Sequence, residues 1–146
     1  MGRGEGAASG AETTVRVRYK DTDAMGICYY GNYLTYFEVG RVEYLRQKGL
    51  PMSWVDQRLH LPVVEASVKY HRPARLDDLL VVRAWIGAKR RASFEFRYEI
   101  RHAETQALVA SGHTLHACQE VMTGKMVGIP EWLDERLTED TAAPAG

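Results

Sequence analysis

From positions 13 to 20, apolar Val15, Val17 and Tyr19 alternate with Arg16, Arg18 and Lys20, the period of two that predicts a strand with one wet face. The period then changes. From 32 to 48 the residues Tyr33, Tyr36, Phe37, Gly40 and Tyr44, with Leu34 and Leu45 beside them, recur every three or four positions, which predicts an amphipathic helix with a wide apolar stripe. Gly49 followed by Pro51 stops it. Positions 53–59 suit one or two further helical turns, with Trp54, Val55 and Leu59 packing inward. Beyond Leu61 the chain reads as extended. Segments 63–71, 79–89, 92–102 and 107–119 are rich in Val, Ile, Tyr, Phe or Trp, with turns at 103–106 and 123–125 and a short helical end after Pro130. One long helix followed by a run of antiparallel strands is an α+β pattern, in which a curved sheet of about five strands wraps the helix. The aromatic and small residues of the helix stripe suit that enclosure.

Length and composition narrow the possibilities. The 146 residues suffice for one domain with a core and are too few for two ordinary ones. The domain is expected over 13–137, with disordered tails at 1–12 and 138–146. Lys plus Arg equals Asp plus Glu, 19 of each, so no global field draws in nucleic acid or an anionic membrane. Cys28 and Cys118 stand far apart and outside any Cys-x-x-Cys pattern, which argues against a disulfide framework or a zinc site and fits a reducing cytoplasm. The first residues lack the apolar run of a secretory signal or a membrane span.

Candidate chemistry concentrates where the strand gives way to the helix. Asp21 and Asp23 stand just ahead of a helix start, where the N–H groups of the first turn lack intrahelical partners and can face an oxyanion. A carboxylate that attacks or activates water, opposite such donors, is a workable acyl-transfer site. Most Asp residues near turns only shape loops or cap helices, and residues two apart on an extended chain point the same way, so spacing leaves open which carboxylate acts. Gly26 suits a positive φ or a close substrate approach, and Asn32 suits a helix cap. Lys89, Arg90 and Arg91 lie at a strand-to-strand turn, where a charge run is either solvated or a clamp for phosphate oxygens. His113 and His116, three apart on a strand, face opposite sides and cannot share a metal; no metal site is expected. The motifs of zinc hydrolases, serine hydrolases and phosphate-binding loops are missing.

Asp21-Thr22-Asp23-Ala24-Met25-Gly26-Ile27-Cys28-Tyr29-Tyr30-Gly31-Asn32-Tyr33 resembles the signature of the 4-hydroxybenzoyl-CoA thioesterase family of the hotdog superfamily. Pro62-Val63-Val64-Glu65-Ala66, Tyr70, Pro73-Ala74 and Asp77-Asp78-Leu79 are similar to its second characteristic stretch. The resemblance implies the hotdog fold and an acyl-CoA thioesterase that needs no cofactor. It places the catalytic carboxylate, nucleophile or general base, on Asp23, with Asp21 in support. The backbone N–H of Tyr30 then bonds the thioester carbonyl; many relatives carry His there. Lys89, Arg90 and Arg91 fall where the family holds the CoA nucleotide. The family also implies a homodimer, commonly paired into a tetramer, with the site at the dimer interface. Two alternatives stay open: an acyl carrier protein in place of CoA, and a noncatalytic acyl-thioester binder. Enoyl-thioester hydration would need a His five residues after the Asp, where Cys28 stands.

Overall fold

The computed structural model describes residues 10–138; the expected disorder of 1–12 and 138–146 falls outside those residues except at their inner ends. In chain order the elements are β1 (Ala11–Arg16), α1 (Asn32–Gln47), α2 (Met52–Val55), β2 (Leu59–His60), β3 (Val63–Tyr70), β4 (Leu79–Lys89), β5 (Ser93–His102), β6 (Leu108–Glu120), β7 (Met126–Val127) and α3 (Glu131–Asp134). All strand pairs are antiparallel, in the order β1-β4-β5-β6-β3, with β2 and β7 also paired to β6. The sheet packs against α1, as the hotdog fold requires. Among the described residues it has seven strands, where about five were expected. The two additions, β2 and β7, are two residues long, too short for a period of two to register.

The first strand differs from its sequence expectation. It starts at Ala11 and ends at Arg16, and Tyr19–Asp21 forms a 3-10 turn. Asp21 Oδ2 accepts the Arg18 N–H at 3.0 Å, which folds the chain back on itself and leaves Tyr19 exposed. Trp54 is likewise not inward: it lies near the surface, edge-on to Trp132 with ring centres 5.1 Å apart, under the Arg58 guanidinium. Val55 and Leu59 are buried as expected.

The core lies between α1 and the inner face of the sheet. Tyr33, Tyr36, Phe37, Gly40, Tyr44 and Leu45 are the buried helix positions, while Leu34 stays exposed. They face Leu80, Val82, Ala84 and Ile86 of β4 and Phe94, Phe96, Tyr98 and Ile100 of β5, all buried. Phe37 stacks on Tyr98 at 4.1 Å, and Tyr44 meets Phe96 edge-on at 5.3 Å. Gly40 sets the approach distance, because a Cβ there would stand 2.8 Å from Val82 Cγ1. A helix glycine costs about 1 kcal/mol against alanine; here it lets the helix backbone seat close to the strand.

One polar chain runs through this core. Arg41 donates to Tyr98 Oη at 3.4 Å, Tyr98 Oη lies 2.6 Å from Thr114 Oγ1, Thr114 Oγ1 lies 2.8 Å from His116 Nε2, and His116 Nδ1 lies 3.0 Å from the Leu61 carbonyl. A carbonyl only accepts, so neutral His116 carries its proton on Nδ1 and accepts at Nε2. Every bond in the chain then runs the same way, from Arg41 to Leu61. Burial holds His116 neutral, with its pKa lowered to about 4. His113 points to the other face, 2.9 Å from Glu65, so the two histidines separate as expected. No helix among the described residues is long and apolar enough to cross a membrane.

Candidate active site

The loop between β1 and α1 is built by local bonds. Asp23 N–H donates to the Ile27 carbonyl at 2.9 Å and Gly26 N–H to the Asp23 carbonyl at 3.0 Å. Gly26 turns at φ 77°, the left-handed region that favours glycine; no atom lies within 4 Å of where its Cβ would be, so conformation rather than crowding sets the residue. The loop is tied to the segment before β4, with Cys28 N–H on the Ala74 carbonyl at 2.7 Å and Ile27 bridged to Arg75.

The two aspartates, alike in the sequence, have different environments. Asp21 is buried. Its carboxylate accepts from Arg18 Nε at 3.2 Å, Arg18 Nη2 at 3.1 Å and the Tyr36 hydroxyl at 3.0 Å. Burial alone would push its pKa up, but the hydrogen bonds from Arg18 and Tyr36 outweigh that and hold it below the ordinary carboxylate value. Both of its oxygens are engaged. Asp23 is half-buried. Its Oδ1 accepts from Met25 N–H at 2.8 Å and Ile27 N–H at 3.4 Å, while Oδ2 has no protein partner among the described residues. Asp21 is therefore a structural anion, and Asp23 is fixed by one oxygen with the other available.

The helix start faces the same loop. Gly31, in the helical region at φ −68°, is the N-cap, and no side chain caps it. Asn32, expected as a cap, is the first helical residue instead; its amide donates to the Asp21 carbonyl at 2.7 Å, tying the helix start to the 3-10 turn. The Tyr29 carbonyl accepts from Asn32 N–H at 2.9 Å. Among the described residues, neither Tyr30 N–H nor Gly31 N–H has a protein acceptor, and Tyr30 is exposed. Two donors without acceptors and one carboxylate oxygen on one loop can bind and polarise a carbonyl while delivering a nucleophile or a base. Cys28 does not compete as a nucleophile, since it is buried and burial pushes its thiol pKa up.

The basic turn lies elsewhere. Lys89 donates to the Leu137 carbonyl at 2.7 Å and the Asp134 carbonyl at 3.1 Å, and pairs with the Asp134 carboxylate at 3.3 Å. Its ammonium thus holds the segment that includes α3, a return to the turn that no local pattern in the sequence reports. Arg90 and Arg91 are exposed. The turn also stands at the far end of β4 from the loop. β4 has 11 residues, and a rise of roughly 3.3 Å each puts its ends about 30 Å apart.

Sequence reasoning missed three contributors. Arg18 gave a signal in its i, i+3 spacing from Asp21. Tyr36 was legible only as core, although its hydroxyl reaches Asp21. Tyr70 is 40 positions from the carbonyl it touches, that of Tyr30, at 3.1 Å, and no local pattern reports such a contact. Among the described residues no three His, Cys, Asp or Glu side chains gather as a metal cluster.

Comparison with known proteins gives the family and the fold. The profile of the thioesterase-like superfamily matches residues 17–137. The acyl-CoA thioester hydrolase YbgC of Escherichia coli O6:H1 is 33% identical over 118 residues, covering 80% of this chain and 87% of that protein. The crystal structure of protein AQ1494 from Aquifex aeolicus superposes with a TM-score of 0.82 at 33% identity, covering 88% of this chain and 99% of that one. Slr0204, a 1,4-dihydroxy-2-naphthoyl-CoA thioesterase from Synechocystis, gives a TM-score of 0.79 at 25% identity, covering 88% and 95%.

Proposed function

The chain belongs to the thioesterase-like superfamily and is an acyl-CoA thioester hydrolase, and from that premise we propose that Asp23 carries the chemistry, with the N–H of Tyr30 holding the thioester oxygen. The observation that supports this is the division of labour between the aspartates. Asp21 is committed to Arg18 and Tyr36, whereas Asp23 keeps Oδ2 available on a loop fixed through Oδ1. Asp23 Oδ2 attacks the thioester carbonyl carbon, the π electrons move to an oxyanion held by Tyr30 N–H, and the C–S bond breaks to release the CoA thiolate. Water then opens the resulting mixed anhydride. The same oxygen serves equally as a base that takes a proton from attacking water; one turnover in labelled water places the label in Asp23 only by the first route, after the anhydride is opened at the enzyme's carbonyl.

The substrate's nucleotide end rests, in this reading, on Arg90 and Arg91. With the turn and the loop at opposite ends of a strand, this reading has the loop of one copy of the chain and the turn of another serve one acyl-CoA. The free edge of β3 suits that assembly: Val63 and Val64 are 44% and 58% exposed on it, and pairing two such edges removes an aggregation-prone border from each subunit. A homodimer is the assembly this reading calls for, and the family resemblance adds its pairing into a tetramer. Cys28 and Cys118 are buried free thiols, consistent with a reducing cytoplasm.

Asp23→Asn keeps the shape and removes the charge. A fall in kcat of roughly 10² to 10⁴ with little change in KM is expected, the range for losing a positioned acid, base or nucleophile. Near-normal turnover by purified, folded Asp23→Asn would discard this mechanism.

A further inference from the structure

Tyr70 closes β3 on the side of the sheet that faces α1. Its ring lies 5.4 Å from that of Tyr33 and 6.3 Å from that of Tyr30, both edge-on. Its hydroxyl donates to the Tyr30 carbonyl at 3.1 Å, the same carbonyl that Tyr33 N–H reaches only at 3.4 Å. That carbonyl belongs to the peptide unit whose N–H is Gly31's. A trans peptide is planar, with C=O and N–H pointing in opposite directions, so anchoring one end fixes the direction of the other. Gly31 N–H lacks a protein acceptor among the described residues, and no side chain of its own stands beside it. The preceding peptide is held in the same manner, its Tyr29 carbonyl accepting from Asn32 N–H at 2.9 Å, which sets Tyr30 N–H. Tyr30 and Gly31 thus offer successive donors on a turn whose carbonyls are both anchored.

Resting on the thioesterase reading above, we infer that Gly31 N–H is a second donor to the thioester oxygen and that Tyr70 is the positioning residue that aims it, through a hydroxyl-to-carbonyl bond from the edge strand to the turn before α1. Donors aimed in advance at the developing charge contribute most when they need no reorganisation during the reaction. The bond does that work: it restrains the peptide from rotating about its flanking torsions. Because the anchor comes from β3, the strand proposed to join two subunits, the donor's aim depends on the seating of that edge.

The test compares wild type and Tyr70→Phe, which keeps the ring and its aromatic contacts and removes the hydroxyl. CoA release is followed on butyryl-, decanoyl- and benzoyl-CoA, with circular dichroism and sedimentation matched. On the best wild-type substrate, kcat should fall roughly 5- to 30-fold, less than for removing a donor outright, with KM within about twofold, the pattern of an interaction made in the transition state. Isotope-edited infrared spectra of that acyl-CoA bound to Asp23→Asn should show a polarised carbonyl, and adding Tyr70→Phe should move the band back toward its position in water. Placing 3-fluorotyrosine at position 70, a stronger donor of nearly the same shape, should move it further from water, and this arm decides the matter if Tyr70→Phe does not fold. An unchanged kcat, an effect confined to KM, or a band that ignores the hydroxyl overturns the role of Tyr70. A wild type that releases no thiol from any of the three overturns the thioesterase reading and this inference with it.

Discussion

Asp21→Asn separates the anchoring carboxylate from the reacting one. The substitution keeps the shape but puts an N–H₂ against donors, so one of the contacts from Arg18 or Tyr36 must face another donor. The Arg18 side chain is 60% exposed, and an ion pair with so wet a partner contributes little. The larger share comes from the buried Tyr36 hydroxyl on a charged acceptor at 3.0 Å, a class of bond worth roughly 1.5–3 kcal/mol. A net loss of about 2 kcal/mol follows, or a fall in Tm of roughly 6–10 °C for a domain of this size. The sign with pH is fixed by the lowered pKa of Asp21. Its contribution is complete above the unfolded carboxylate value of about 4 and disappears as pH falls through the lower folded value. Thermal denaturation of both proteins should therefore show a constant gap from pH 7 to 5 that closes at lower pH. Turnover at 25 °C should drop less than tenfold, because the Asp21 backbone carbonyl still holds Asn32 and Tyr29. A Tm equal to wild type with turnover abolished would refute the assignment and make Asp21 the reacting group.

Replacing Arg90 and Arg91 together with Ala should raise KM for acyl-CoA severalfold and spare a short thioester without a nucleotide, with added salt mimicking the change; equal losses on both substrates would make the pair structural. His116 should make the protein acid-sensitive. Its folded pKa of about 4 lies below the unfolded 6.5, so the unfolded state binds the proton first and up to roughly 3 kcal/mol disappears as pH falls from 6.5 to 4; a His116→Gln protein with the same Tm-against-pH slope as wild type would contradict this. Val64→Lys places a charge on the free edge of β3 and should split the proposed dimer unit, shifting sedimentation to smaller species with loss of activity, whereas an active monomer would contradict the shared site.

The sequence revealed the parts of the fold whose signals are local and long. The stripe Tyr33, Tyr36, Phe37, Gly40 and Tyr44 repeats often enough to fix both the helix and its buried face, and β3, β4, β5 and β6 are long enough for their composition to carry them. The reversal at Gly26 and the stop at Gly49 were equally legible, because a positive φ leaves its mark in residue type. What escaped depends on contacts between distant positions. β2 and β7 exist only because β6 extends beyond β3 and β5 and offers them partners. Lys89 meets carbonyls nearly fifty positions away, and Trp54 sits near the surface against the distant Trp132. The difference between Asp21 and Asp23 arises from a 3-10 turn where alternation predicted more strand, so the inference that both point the same way started from the wrong backbone.

The polar chain from Arg41 to Leu61 bears on how the sheet finds its alignment. A slip of one residue between β5 and β6 would turn apolar side chains outward and so opposes itself. A slip of two keeps each residue on its own face, and the alternating apolar positions of β5, Phe94, Phe96, Tyr98 and Ile100, would tolerate it. Apolar packing alone discriminates weakly between such neighbours. In the native alignment Tyr98 stands opposite Gly112 and Phe96 opposite Thr114, which brings the Tyr98 hydroxyl to Thr114 and, through it, to His116. Shifted by two, the bond between Tyr98 and Thr114 would be unmade while the bonds of His116 to Thr114 and Leu61 stay with β6, and a buried hydroxyl left without its partner costs about 1–3 kcal/mol. The chain acts as a key cut for one alignment, and it sits in the strands whose alignment also decides where β3, and Tyr70 at its end, meets the turn before α1.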